Sequence, residues 1–439
     1  MLKAGPRQTR GRARPRLCAE ESIVQAITEE PDRDEPGRGE PLPPNAKIGA
    51  DHSAMRARNE RLVLSLIRRH GALAKSEIAR LTGLSAQTVS VIMRGLEGAG
   101  LLRRLAPVRG KVGQPTVPMT LAPEGALFLG LKVGRRRTEM VLIDFLGALR
   151  GATVMRHDYP TPDGTRQFVR DSVAELTAPL SPALQRRIQG LGIGLPFQLW
   201  DWAESLGLPP GAMDDWRRRD LRAELAAELP WPVMLENDAS AACNAELVFG
   251  RGNLPKDFVY AFLGFFVGGG LVLGGSMFAG QSGNAGALAS MPVPDGRGGA
   301  RQLVEVASLS GLERALAAQG RSGAFLWEAA PDWELEEEIV APWLAQAAAG
   351  LAHVAASAAA LCDLQAMVID GWLPAPLRAR LIGAIEAELD RTNLSGMARP
   401  AVLPGSAGPQ ARVLGAASLP LSAKFLVEFA GLPDAPERG

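Results

Sequence analysis

The stretch Met234-Leu-Glu-Asn-Asp-Ala-Ser-Ala-Ala-Cys-Asn-Ala-Glu246 (MLENDASAACNAE) places two carboxylates and an amide where an apolar strand gives way to an alanine-rich helix. Side-chain oxygens at such a junction accept hydrogen bonds from the first backbone N–H groups of the helix, which have no partner within it. The same groups can also face a ligand. Asp238 thus has three readings: a general base, an acceptor that holds a ligand, or the cap of the helix starting near Ala239. The last two can coexist.

Working outward, Leu127 to Leu149 reads strand, glycine turn, strand (LFLGLKVGRRRTEMVLIDFLGAL), and GIGLP follows at Gly192–Pro196. The run from Phe258 to Gly275, FVYAFLGFFVGGGLVLGG, is apolar enough to suggest a membrane span. Its glycines and its β-branched and aromatic residues fit a buried strand hairpin better. A long alanine-rich helix then ends near Cys362 before the strand AMVIDG. Strands and helices that alternate, with glycines at strand ends, indicate a mixed α/β fold.

Upstream, Leu62, Val63, Leu66 and Ile67 recur at helical spacing and Gly71 ends that helix. A second short helix is expected from Lys75 to Leu81, with Ile78 and Leu81 inside, and Gly83 supplies the turn of a helix-turn-helix unit. Ser85 caps a third helix whose apolar stripe is Val89, Ile92 and Leu96. Other faces then carry Gln87, Thr88, Ser90, Val91 and Arg94. A helix entering the major groove offers such residues to DNA: Gln87 to adenine, Thr88 and Ser90 to base edges or phosphate, Arg94 to the backbone. Leu101, Leu102 and Leu105 predict a strand, APVRGKVGQP a basic turn, and TVPMTL a returning strand, which together make a winged helix. Arg103, Arg104, Arg109 and Lys111 put positive charge on or beside the wing, where phosphate contacts fall. A three-helix core with no ligand is the plain alternative.

At 439 residues the chain has room for two or three domains. Its formal charge of +1 means that any affinity for nucleic acid comes from a local patch. Lys3, Arg7, Arg10, Arg12, Arg14 and Arg16 crowd the start, and Glu20, Glu21, Glu29, Glu30, Asp32 and Asp34 follow. Residues 1–52 are expected to be a disordered charged arm with no secretion signal. The three cysteines and four histidines are scattered without metal or disulfide spacing, which agrees with a reducing, cytoplasmic setting.

GQP at Gly113–Pro115, GIGLP, LENDASAA, GQSGNAG at Gly280–Gly286, LVEVAS at Leu303–Ser308, VIDG and VLGAA occur in an order that resembles the ROK family of repressors and sugar kinases. The resemblance covers about Asn59 to Phe425. It implies a winged helix-turn-helix over 53–122, followed over 126–430 by a two-lobed, actin-like, hexokinase-type (ribonuclease H-like) sugar-binding domain. The lobes would divide at about residue 240. It assigns sugar contacts to Asn237, Asp238 and Glu305, with Asp238 at the position of the kinase base.

Departures from the family pattern bear on mechanism. Where active relatives open with an Asp-x-Gly-Gly-Thr turn that organises Mg²⁺ and phosphate, this chain has Lys132-Val-Gly-Arg135. Where a second glycine loop meets phosphate, it has Gly264-Phe265-Phe266-Val267-Gly268. Ala287 and Ser290 stand where zinc-binding relatives carry Glu and His, and no cysteine loop follows. The expectation is therefore a transcriptional regulator, a repressor of carbohydrate genes, with no catalytic residue, metal or cofactor. It would bind operator DNA as a homodimer or homotetramer, respond to a sugar-like effector and need no membrane. A sugar kinase with an appended DNA-binding domain is the alternative, and a scaffold with a dead pocket a third. Arg135, Arg136 and Arg137 are either an anion site, a solvated hairpin tip or a contact to the DNA domain.

Overall fold

The computed structural model describes residues 46–108, 116–197, 199–203, 208–251, 254–328 and 332–427. Most of the expected arm lies outside these, as do Arg109, Lys111 and the Gly113–Pro115 motif. Helix α1, Ala46–His70, begins inside the stretch expected to be arm.

Val63, Leu64, Leu66 and Ile67 are fully buried on α1, and Gly71 leaves the helix at a φ of +77°. Helix α2 (Lys75–Thr82) ends at Gly83, whose φ of +69° is a left-handed conformation that glycine takes without strain. Helix α3 (Ala86–Gly98) starts at Ser85, whose side chain accepts from the Thr88 N–H at 3.0 Å. Its buried stripe is Val89, Ile92 and Leu96 as expected, with Met93 added. Strand β1 (Leu102–Arg104) pairs antiparallel with β2 (Met119–Leu121), and Leu73 bridges Met119. Leu105, expected in the strand, is exposed beyond its end. A three-helix unit with a hairpin wing results.

The remainder holds two sheets of one design. In the first, β3 (Leu127–Val133), β4 (Arg137–Asp144) and β5 (Leu149–Arg156) form an antiparallel meander. Strand β6 (Ile188–Gly194) then pairs parallel to β3, and β7 (Val233–Glu236) to β6, giving the order β5-β4-β3-β6-β7. Helix α4 (Pro162–Thr177) and helix α5 (Leu221–Glu228) cover one face. Helix α6 (Asp238–Phe249) leads to the second lobe. There β8 (Phe258–Leu263), β9 (Val267–Leu273) and β10 (Ser276–Met277) repeat the meander. After the small hairpin of β11 (Pro292–Pro294) and β12 (Ala300–Gln302) come helices α7 (Leu303–Ala307), α8 (Ser310–Ala318) and α9 (Glu337–Cys362). Strand β13 (Ala366–Gly371) pairs parallel to β8. Helix α10 (Ala375–Arg391) intervenes, and β14 (Ala401–Pro404) completes the order β10-β9-β8-β13-β14.

The apolar run from Phe258 folds as the β8–β9 hairpin, all six residues of β8 being buried. Helix α9 is long and apolar enough to cross a bilayer, but Trp343, Ala347 and Leu351 on it lie in the core of the second lobe.

The last helix, α11 (Ala411–Phe425), departs from the expected division at residue 240: it returns to the first lobe and lies between the first sheet and α6. Small residues permit this. A Cβ on Gly192 would stand 1.7 Å from the Ala416 carbonyl oxygen, and one on Gly415 would stand 1.8 Å from that of Ala241. Val413, Ala417, Leu421 and Phe425 of α11 share one apolar core with Phe128 and Phe145 of the first lobe and with Val63, Ile67 and Leu101 of the winged helix. The Phe425 ring lies 5.0 Å from Phe145 and 5.9 Å from Phe128. Arg187 adds polar ties across the same junction, donating to the carbonyls of Ala99 (2.7 Å) and Gly125 (3.3 Å).

Candidate functional site

On α3, Ser85, Gln87, Val91 and Arg94 are exposed on the side opposite the buried stripe. Two other expected DNA contacts already have partners within the chain. The Thr88 hydroxyl lies 2.8 Å from Ser85 Oγ, and Ser90 Oγ accepts from Lys75 Nζ at 3.1 Å. Gln87 and Arg94 show no hydrogen-bond or ion-pair partner among the described residues, which leaves their donors facing solvent. Beside the helix, Arg104 grips the Glu97 carboxylate with both nitrogens (2.7 and 2.9 Å), holding it below the usual carboxylate range.

Between the lobes lies a cleft of about 890 Å³. Its walls are the β3–β4 turn, the start of α6, the β8–β9 turn, the loop carrying Ser282 and Asn284, and the start of α11. Asn237 and Asp238 both line it. Asn237 is the helix cap: its Oδ1 accepts from the N–H groups of Ala239 (3.0 Å) and Ser240 (3.4 Å). Asp238, weighed as the cap, sits one residue inside the helix, and its Oδ2 meets Arg412 Nη1 at 3.1 Å. Helix geometry decides this, because only the residue preceding the first turn can fold its oxygen back onto the open N–H groups.

Glu305 is not among the residues lining the cleft. It is exposed and accepts from the Gln302 N–H at 2.9 Å, closing the first turn of α7. Its family neighbour Ser308 instead pins the β8–β9 turn, accepting from the Val267 N–H at 3.0 Å.

The three consecutive arginines divide. Arg136 is exposed at the rim. Arg137 bonds Glu139 at 2.7 Å and stands over Trp372 at 5.5 Å. Arg135 crosses the cleft: its guanidinium lies 3.0 Å from the Phe265 ring centre and 3.7 Å from the Glu313 carboxylate, with Trp327 packed 5.5 Å behind Phe265. Burial lowers the Arg135 pKa to about 10 against the opposing pull of Glu313. Arg135 is therefore neither a solvated tip nor a contact to the DNA domain; it bridges the lobes through a cation–π stack.

Lys132 lies deeper, 15% exposed, with the Glu139 carboxylate at 3.6 Å. Burial lowers its pKa, partly offset by Glu139 and Asp238, while Arg412 and Arg137 add to the lowering. Glu139 goes the other way: burial raises it, but Lys132 and Arg137 outweigh that and hold it low. Sequence reasoning missed Arg412, Trp327, Trp372, Ser282 and Asn284 as cleft residues. The only signal for Arg412 is its place directly before VLGAA at Val413.

A model of the MarR family matches residues 57–111, and one of the ROK family matches residues 128–423. The chain is 26% identical over 374 residues to an uncharacterised protein of Sinorhizobium fredii, covering 84% of this chain and 91% of that one. It is 23% identical over 244 residues to the xylose repressor of Bacillus spizizenii, covering 56% of this chain and 62% of the repressor. Among solved structures, a ROK family transcriptional regulator described as a homologue of the E. coli MLC protein superposes with a TM-score of 0.61 at 19% identity. That alignment covers 85% of this chain and 97% of the regulator, which shows a shared fold. The ROK family model matches residues 128–423, which hold both sheets of matching topology and the cleft between them, and this chain belongs to the ROK family.

Proposed function

We propose that this chain is a sequence-specific transcriptional regulator, a repressor of carbohydrate-use genes, whose cleft takes a sugar-class effector and which transfers no phosphoryl group. The observation that carries the reading is α3: its inner face is sealed in a core shared with the cleft-bearing lobe, and its outer face presents Gln87 and Arg94 without partners among the described residues. A helix of this kind reads base edges with its first turn and touches phosphate further along. The similarity to a protein named xylose repressor supports a sugar effector.

Helix α11 links the two activities. Arg412 near its start faces the cleft beside Asp238, and Phe425 at its end packs in the core of the DNA-reading unit. An effector that draws Asp238 or Arg412 into a different arrangement favours one placement of α11 and hence one placement of α3. A few kcal/mol of differential affinity is enough to shift such an equilibrium. Homodimers or homotetramers on palindromic sites are the expected assembly. Against phosphoryl transfer stand Lys132 near the end of β3, just before the first turn, where a metal calls for an anion, and the Arg135–Phe265 stack, which fills the second turn.

The test is selection of bound duplexes from a randomised pool by the full chain, followed by titration of the enriched site. Replacing Gln87 or Arg94 with alanine should cost about 1–3 kcal/mol of operator affinity, with relaxed preference at one base for Gln87→Ala, and leave Tm nearly unchanged. Failure to enrich any duplex, or variants that bind like the parent, would remove the proposal. Robust Asp238-dependent ADP release with hexoses or N-acetylated aminosugars would replace it with the kinase reading.

A further inference from the structure

The floor of the cleft carries more positive than negative charge. Lys132, Arg137 and Arg412 gather there with two carboxylates, Glu139 and Asp238, and the side chains of Lys132, Arg412, Glu139 and Asp238 are all less than 20% exposed. Glu139 is shared: one oxygen takes Arg137 Nε at 2.7 Å and stands 3.6 Å from Lys132 Nζ, too far for a good hydrogen bond. Asp238 is committed to Arg412 at 3.1 Å. One cation is left over. The cleft is also lined by exposed Arg136, Arg156, Asp201 and Glu328, two of each sign, with Asp201 paired to Arg217 at 3.4 Å.

Arg412 is held in place before any ligand arrives. Its guanidinium lies 4.3 Å from the Phe262 ring centre, and a Cβ on Gly264 would collide with its Nη2 at 2.1 Å, so the bare glycine backbone leaves it room. Its Nε is buried with no hydrogen-bond partner among the described residues. An unsatisfied charged donor of this kind costs stability unless something else binds it. The start of α11 adds the positive end of a fifteen-residue helix at the same place. Burial is the main reason the Lys132 pKa is lowered; Glu139 and Asp238 oppose the lowering, and Arg412 and Arg137 add to it. Around them Asn237, Ser240, Ser282 and Asn284 supply neutral groups suited to hydroxyls.

From this arrangement we infer that the effector is an acidic sugar-class molecule whose carboxylate or phosphate lies between Lys132 Nζ and the Arg412 guanidinium, with its hydroxyls on the amide and hydroxyl groups beside them. The inference rests on the cleft being the effector site. It adds the charge of the ligand and the two residues that select for it.

Thermal shift and calorimetry on the full chain provide the test, with D-glucuronate and D-galacturonate as the carboxylate arm and glucose 6-phosphate as the phosphate arm. Glucose and galactose are the neutral parents, and inorganic phosphate and sulfate the bare anions. At least one acid should bind about tenfold or more tightly than its neutral parent. Which arm responds identifies the anionic group. Lys132→Gln and Arg412→Gln should each bring the ratio of acid to neutral-sugar affinity to near one, and Lys132→Arg and Arg412→Lys should retain part of the preference. Should the glutamine variants fail to fold, the parent's own panel and the charge-conserving pair decide the matter.

Equal or tighter binding of neutral sugars would overturn the inference. So would bare anions matching the sugar acids, an acid preference that survives both glutamine variants, or a panel in which nothing binds. Operator binding is scored separately: a chain that binds its duplex without preferring acids loses only this inference, and one that prefers acids without binding any duplex loses only the regulator reading.

Discussion

Asn237 and Asp238 are neighbours in the chain held by unrelated forces, and substitution separates them. Asn237 caps α6 through two backbone N–H groups. Asn237→Ala should therefore lower stability by about 1 kcal/mol, read as a fall in Tm, and Asn237→Asp should restore most of it. His157, at the end of β5, makes a pH-dependent case. Its Nε2 lies 2.9 Å from Thr138 Oγ1 and its Nδ1 is buried without a partner among the described residues. Burial lowers its pKa, the Lys132 charge lowers it further and Asp158 opposes. A histidine kept neutral in the fold binds fewer protons than it does in the unfolded chain. Its contribution to stability is accordingly present above the ordinary histidine value of about 6.5 and is lost as pH falls from there through the lowered one. Tm measured from pH 8 to 5 should decline less steeply for His157→Asn than for the parent; parallel curves would show that another group titrates.

Helix α11 is held by close backbone contacts on two sides. Backbone oxygens, which cannot move aside, stand where side chains at Gly192 and Gly415 would have to go. Gly415→Ala should shift α11 away from α6 and cost at least about 1–3 kcal/mol in urea denaturation. Gly383 on α10 is the control: it is exposed, with nothing among the described residues within 4 Å of a Cβ built there. Gly383→Ala should stabilise by about 0.5–1 kcal/mol, because alanine loses less backbone entropy in a helix. If both variants changed stability alike, the close approach of α11 would not govern its position.

The two lobes meet across the cleft through Arg135, stacked on Phe265 and paired with Glu313, and through Arg137 over Trp372. A partly desolvated cation–π contact is worth about 0.5–2 kcal/mol, the size of term that biases a hinge without locking it. Arg135→Ala should raise the radius of gyration in solution scattering and speed hydrogen exchange around Phe265 and Trp327, with little loss at the DNA-reading unit. An unchanged scattering profile and exchange pattern would show that the lobes are held elsewhere. The DNA-reading unit is not a bead on a tether. It shares a core with Phe128, Phe145 and Phe425 and is tied by Arg187 to Ala99 and Gly125, so lobe motion has a rigid path to α3.

Periodicity and punctuation alone determined a good part of this. Leu66 and Ile67 on one helical stripe, Gly83 at its left-handed turn and Ser85 as a cap were legible because each follows from local geometry. So was the buried hairpin from Phe258, whose glycines and ring-bearing residues suit a sheet better than a bilayer. The pairing of Asp238 with Arg412, the turn of Arg135 onto Phe265, the place of Glu305 outside the cleft and the return of α11 to the first lobe were decided only by the tertiary structure. A repeat of two or 3.6 residues tells which face a side chain takes, whereas its partner depends on which distant segment packs there, and no single chain of letters records that.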